Sequence, residues 1–128
     1  MKEFMFFIRK NRNSKETLST DQFQKFLKGC ETFIGKLKNE GKLISAQPIY
    51  REGKIISGKA GSWKEAPFDE GKEILGVYYH ILVKDLEEAI LIAKSNPEFE
   101  FNSDTRIEVR PIKMKEESTG FEYPTEKT

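Results

Sequence analysis

One cysteine, one histidine and one tryptophan occur among 128 residues, and each scarcity closes off a class of function. Cys30 alone cannot form an internal disulfide, so no disulfide framework carries the fold. A single imidazole, a single thiol and acidic residues without ligand spacing give no basis for a metal site. A surplus of either charge is also missing. Lys and Arg number 22 against 21 Asp and Glu, a net of +1, which lacks the basic excess of a dedicated nucleic-acid binder. Long apolar runs are absent too: the longest is interrupted by His80 and Lys84, short of the roughly 20 residues that span a bilayer, so no membrane partner is expected. MKEFMFFIRK has too short an apolar run and too early a charge for a signal peptide, and a reducing cytoplasm is the expected setting. The glycines of GKAGSW do not make a phosphate loop and no nucleotide fingerprint occurs, so no cofactor is expected.

What is present suits one domain, since a chain of this length buries one core but not two. Phe4–Ile8 is a compact apolar run that predicts a buried first strand ending near Arg9. Ser19 and Gln22 stand at capping-box spacing, followed by Phe23, Phe26, Leu27, Cys30, Phe33, Ile34 and Leu37 at intervals of three and four, which predicts an amphipathic helix over 20–39. Gly29 and Gly35 each cost that helix about 1 kcal/mol relative to alanine, which predicts close packing on a sheet. Residues 43–50 and 54–58 flank the short turn Arg51-Glu52-Gly53 and read as a second strand extended by a hairpin or bend. The stretch GKAGSWKEAPFDEGK has loop chemistry, although Trp63 and Phe68 give it reason to fold back. Glu73–Val83 is long, β-branched and aromatic, the pattern of a central strand covered on both faces. Asp85 and Glu88 form a second capping box before a helix over 86–95, stopped by Asn96-Pro97. A last strand over 106–112 alternates Ile107 and Val109 with Glu108 and Arg110. Residues 1–112 therefore read as the domain and residues 113–128 as a polar tail, docked at most through Phe121 and Tyr123.

The order βαββαβ packs as two split βαβ units with right-handed crossovers: an α+β ferredoxin-like fold, an antiparallel sheet with both helices on one face. On the third strand of that sheet Leu75, Val77, Tyr79, Ile81 and Val83 are uniformly apolar and are expected to face the helices. The opposite face, with Tyr78 and His80, is then uncovered, and self-association as a homodimer through it is the expected solution.

MKEFMFFIR, GKLISAQPI, APFDEGKEILGVYYHI, DLEEAILIAKSNP and IEVRPI, in this order, resemble the YCII-related family over residues 1–112, and within it the branch that carries a D-G-P-F motif. The matching stretch reads Glu65-Ala66-Pro67-Phe68, with two of the four positions changed. The resemblance implies a ferredoxin-like domain that dimerises through its sheet into an α/β-barrel-like assembly. The family's function is largely undefined. Some members are encoded beside extracytoplasmic-function sigma factors, and some relatives act on muconolactone-type compounds with a histidine and aspartate pair. His80 lies on a strand rather than near the first helix, so that pair has no obvious counterpart here.

His80 is the one residue with the chemistry of a general base, although its sequence neighbours supply no carboxylate. Arg9 and Arg110 have the forked donors that hold a carboxylate or phosphate, and Glu73 and Glu108 are alternative cross-strand partners for them. Trp63, Phe68 and Asp69 read either as a pocket lid, with Glu73 orienting the loop, or as a loop stapled to the core. Cys30 sits on the apolar face of the first helix and reads as core. Two functions follow. One is binding of a small polar or anionic ligand between the open sheet face and the 59–73 loop, by Arg9, Trp63, Phe68, Asp69, Glu73, Tyr78, His80 and Arg110, with or without catalysis. The alternative is a non-catalytic accessory or regulatory protein acting as a homodimer.

Overall fold

Alternation in the first strand sets the architecture. In a computed structural model, which describes residues 1–11, 18–68, 73–102 and 104–124, the strand β1 (Lys2–Asn11) sends Phe4, Phe6 and Ile8 into the core and turns Met5, Phe7 and Arg9 the other way. It is followed by α1 (Thr20–Asn39), β2 (Leu43–Pro48), β3 (Ile55–Lys59), β4 (Ser62–Ala66), β5 (Glu73–Val83), α2 (Leu86–Lys94), the single turn α3 (Glu98–Phe101) and β6 (Arg106–Pro111). The main sheet has the order β2-β5-β1-β6 with every neighbour antiparallel, an arrangement consistent with a ferredoxin-like fold. No helix of the described residues is long and apolar enough to cross a membrane.

The core lies between the sheet and the helices. Tyr79, Ile81 and Val83 meet Phe4, Phe6 and Ile8, and Leu37, Ala89 and Ala93 close it from above. Phe33 of α1 stands edge-on to Tyr79 with ring centroids 5.7 Å apart, and Phe6 approaches the same ring at 6.1 Å. The helix-facing set predicted for β5 holds from Val77 onward and fails at Leu75. A bulge at Gly76 shifts the register, so that Leu75 pairs with Arg9 and Ile74 with Lys10. The extra residue flips the alternation, and its carbonyl accepts from the Ile49 amide at 2.8 Å.

At the start of α1 the Ser19 hydroxyl accepts from the Gln22 amide while the Gln22 side chain accepts from the Ser19 amide, the predicted capping box. The second predicted box is only half formed. Asp85 accepts from the Glu88 amide, but Glu88 reaches past it to the Lys84 amide at 2.8 Å. The two helix glycines do not abut the sheet as expected. A Cβ on Gly29 would meet the Pro97 ring at 3.4 Å, and one on Gly35 would meet nothing within 4 Å. Gly35→Ala is therefore expected to stabilise the protein by about 0.5–1 kcal/mol, read as a higher urea midpoint at unchanged slope.

The largest departure from the sequence reading is the Arg51–Gly53 turn. β2 ends at Pro48, and β3 pairs with β4, which forms out of the stretch read as loop. The glycines taken there as loop punctuation serve the ribbon: Gly61 closes the Ala60-Gly61 turn at φ +84°, a left-handed conformation with little cost for glycine. The tail is not docked through its aromatics. Phe121 and Tyr123 pack on each other, half exposed, in a small hairpin bridged at Lys115 and Glu122.

Candidate functional site

The sheet face away from the helices carries the polar chemistry. Register places its side chains in rows across the strands: Ser45, His80, Met5 and Arg110 in one, and Gln47, Tyr78, Phe7 and Glu108 in the next. Met5, Phe7, Tyr78 and Leu82 are all half-buried there.

One row away from His80, diagonally across the β1–β5 pairing, lies Glu3. Its carboxylate sits 2.6 Å from His80 Nε2, and Glu3 is only 6 % exposed whereas the His80 side chain is 21 % exposed. A carboxylate accepts, so Nε2 carries the ring proton and donates, and the neutral imidazole then keeps its lone pair on Nδ1. That nitrogen has no protein partner among the described residues, which leaves it free to take a proton from a ligand. The carboxylate that sequence neighbours could not supply thus comes from 77 residues away. Glu3 stands just before the apolar run Phe4–Ile8, and nothing in its own neighbourhood points to His80. Only the register converts it into a partner for His80.

Arg9 and Arg110 both converge on Glu108. Arg9 Nε donates to one oxygen of Glu108, and Arg110 donates to the other from Nε at 3.1 Å, with its Nη2 in ion-pair contact at 3.0 Å. The hydrogen bond from Arg9, and then that from Arg110, hold the Glu108 carboxyl below the usual carboxylate range. Two guanidinium groups around one carboxylate leave a surplus positive charge on the same face as Glu3 and His80, with further Arg110 donors facing solvent.

The ribbon residues are not gathered with these. Trp63 is 63 % exposed on β4, and Phe68 rests against Gly53, where a Cβ would come within 2.8 Å of its ring. Asp69 and the side chain of Glu73 lie outside the described residues; the Glu73 backbone opens β5 opposite Asn11. So Arg9, Tyr78, His80 and Arg110 share one face, and Trp63 and Phe68 stand apart from it.

Cys30 lies on the other side of the sheet. Burial, reinforced by the Glu98 charge, pushes its thiol up to about 11 from 9.0, and burial likewise raises the Tyr79 phenol. At neutral pH Cys30 is a protonated thiol and no nucleophile. The folded state holds these protons at pH values where the unfolded chain has released them. Stability is therefore expected to fall as pH rises from about 9 towards 11, read as a declining urea midpoint, while below pH 8 neither group contributes a slope. Among the described residues no group of three or more His, Cys, Asp or Glu is placed to hold a metal ion.

No curated protein matches this chain. A family model described as YCII-related domain matches residues 3–113, from the Glu3 carboxylate to just beyond β6, and the chain belongs to that family.

Proposed function

We propose that the open sheet face binds a small anionic ligand and that His80, oriented by Glu3, exchanges a proton with it. The observation that carries this reading is the Glu3–His80 hydrogen bond, on a sheet face whose apolar residues Met5, Phe7, Tyr78 and Leu82 are half-buried. A buried carboxylate holding Nε2–H orients the ring and fixes which nitrogen can accept a proton, as a general base requires. The charge surplus around Arg9, Glu108 and Arg110 supplies the attraction for an anion, two strands away from His80, or roughly 10 Å at ordinary strand spacing. In this reading residues 1–112 are the working domain of a cytoplasmic homodimer that pairs through the open face, and residues 113–128 are an appendage. In this reading the chain also belongs to the D-G-P-F branch of the family, supported by Pro67-Phe68, with Glu65-Ala66 in place of the first two motif residues.

The test is a thermal-shift screen against small carboxylates, lactones and phosphorylated compounds, on the wild type, His80→Ala and Arg9→Ala. A ligand present at 100 times its Kd adds about 2.7 kcal/mol, a rise on the order of 10 °C for a chain of this size. Loss of the rise in both variants is the expected result, and no rise with any compound overturns the reading. That second outcome would favour the accessory-protein reading, for which one observation speaks: a groove of about 720 Å³ between α1 and α2, edged by Lys25, Lys28 and Lys36 and floored by Phe33 and Leu37.

A further inference from the structure

Every residue of β3 and β4 is exposed. Each strand packs on the other, and the ribbon makes at most marginal contact with the main sheet and the helices. A ribbon of two strands is marginal in water without a covered face. This one is not built for solvent. Ile56 and Trp63 share one face, and Trp63 stands opposite Gly58, which has no side chain to shield it. Tyr50 at the ribbon's base is 86 % exposed, with Ile49, Ile55 and Phe68 partly bare beside it. Tyr50, Ile56 and Trp63, at 86 %, 58 % and 63 % exposed, leave large apolar side chains bare, and a patch of that kind marks an interaction surface.

A second bare apolar surface lies on the same chain, the open sheet face with Met5, Phe7, Tyr78 and Leu82 around Glu3 and His80. The two surfaces do not cover each other within one molecule, since the ribbon stands clear of its own sheet. A second copy of the chain carries both surfaces as well, and a twofold axis would use each twice.

We propose that in the homodimer each ribbon crosses to the other subunit, so that the partner's Trp63 and the partner's Ile56 wall the space above Glu3 and His80. This rests on the homodimer reading given above and adds that the site is complete only with two chains. The reach suffices: five residues at about 3.4 Å extend roughly 17 Å, the width of a four-stranded sheet at ~4.8 Å spacing. The ribbon face with Trp63 and Ile56, which also carries Glu65, then covers Nδ1 of His80, and the other face, with Lys59 and Lys64, stays in solvent.

Trp63 is the only tryptophan, so its fluorescence reports on the ribbon alone. Acrylamide quenching is measured over a dilution series whose dimer fraction is followed by sedimentation. In a second arm, Gln47→Cys in a Trp63→Phe, Cys30→Ser background carries a nitroxide on the open face and is mixed with wild-type chain. The expected result is that Trp63 becomes several-fold less quenchable in step with dimerisation, and that the nitroxide on one chain quenches Trp63 of the other. Trp63→Ala with Ile56→Ser should dimerise about tenfold more weakly or worse at an unchanged monomer melting profile. A dimer in which Trp63 stays fully quenchable overturns the ribbon exchange and leaves the homodimer standing. Protection of Trp63 without quenching by the nitroxide overturns its place over the open face. A monomer at every concentration removes the homodimer and the exchange together.

Discussion

Phe6→Ala should destabilise the protein by about 3–5 kcal/mol, measured by urea unfolding. Phe6 is wholly buried at the centre of the sheet, on the strand that pairs with both β5 and β6, opposite Tyr79 on one side and Val109 on the other. Removing the ring forfeits its transfer energy and leaves a cavity that neighbours fixed by two ladders cannot collapse into. Against the roughly 5–15 kcal/mol of a typical domain this is about a fifth of the total or more. Trp63→Ala removes a larger ring at an exposed position, so below the concentration at which dimers form its effect should stay within about 0.5 kcal/mol. Similar costs for the two would contradict the division into a packed core and a bare ribbon.

Lys10→Met should cost about 2–3 kcal/mol. Lys10 Nζ lies 2.9 Å from a carboxylate oxygen of Glu98, which is 3 % exposed, and 5.4 Å above the centroid of Phe26. The methionine keeps most of the apolar stem and removes the charge, leaving Glu98 in a site with the Asn102 amide nearby at 3.5 Å and little water. A fully buried pair broken in this way loses about 3–5 kcal/mol; the lower figure reflects the Lys10 side chain, which is 31 % exposed, so the pair is already partly screened. Adding Glu98→Gln to Lys10→Met should recover much of the loss. Additive effects in that double-mutant cycle would remove the ion pair from the account.

How far the sequence could be read follows from the range of each interaction. Helix α1 was legible because its cap and its apolar stripe are both local, and β5 because eleven residues rich in β-formers leave no alternative. The strand order follows from right-handed crossovers, and the shared face of Arg9, Tyr78, His80, Glu108 and Arg110 follows from it. What failed depends on register. The bulge at Gly76 moved Leu75, and the step of one pair along β1 that brings Glu3 to His80 leaves no trace in either neighbourhood. β4 was missed because Ser62–Ala66 lacks apolar alternation; it becomes a strand through its ladder with β3 and not through a buried face.

The place of β1 has a consequence for how the chain assembles. The first strand in sequence lies in the middle of the sheet, and one of its ladders closes only with β6, so that Arg9 and Glu108 meet across 99 residues. During synthesis β1 is made early and must wait, with one edge unpaired, until β6 has emerged. Non-local pairing of this kind makes folding slow relative to a helical bundle of equal length. Glu3 and Arg9 then have a second use at the two ends of that waiting strand: each puts a charge beside the apolar run, and charge beside a bare strand discourages it from pairing with another nascent chain.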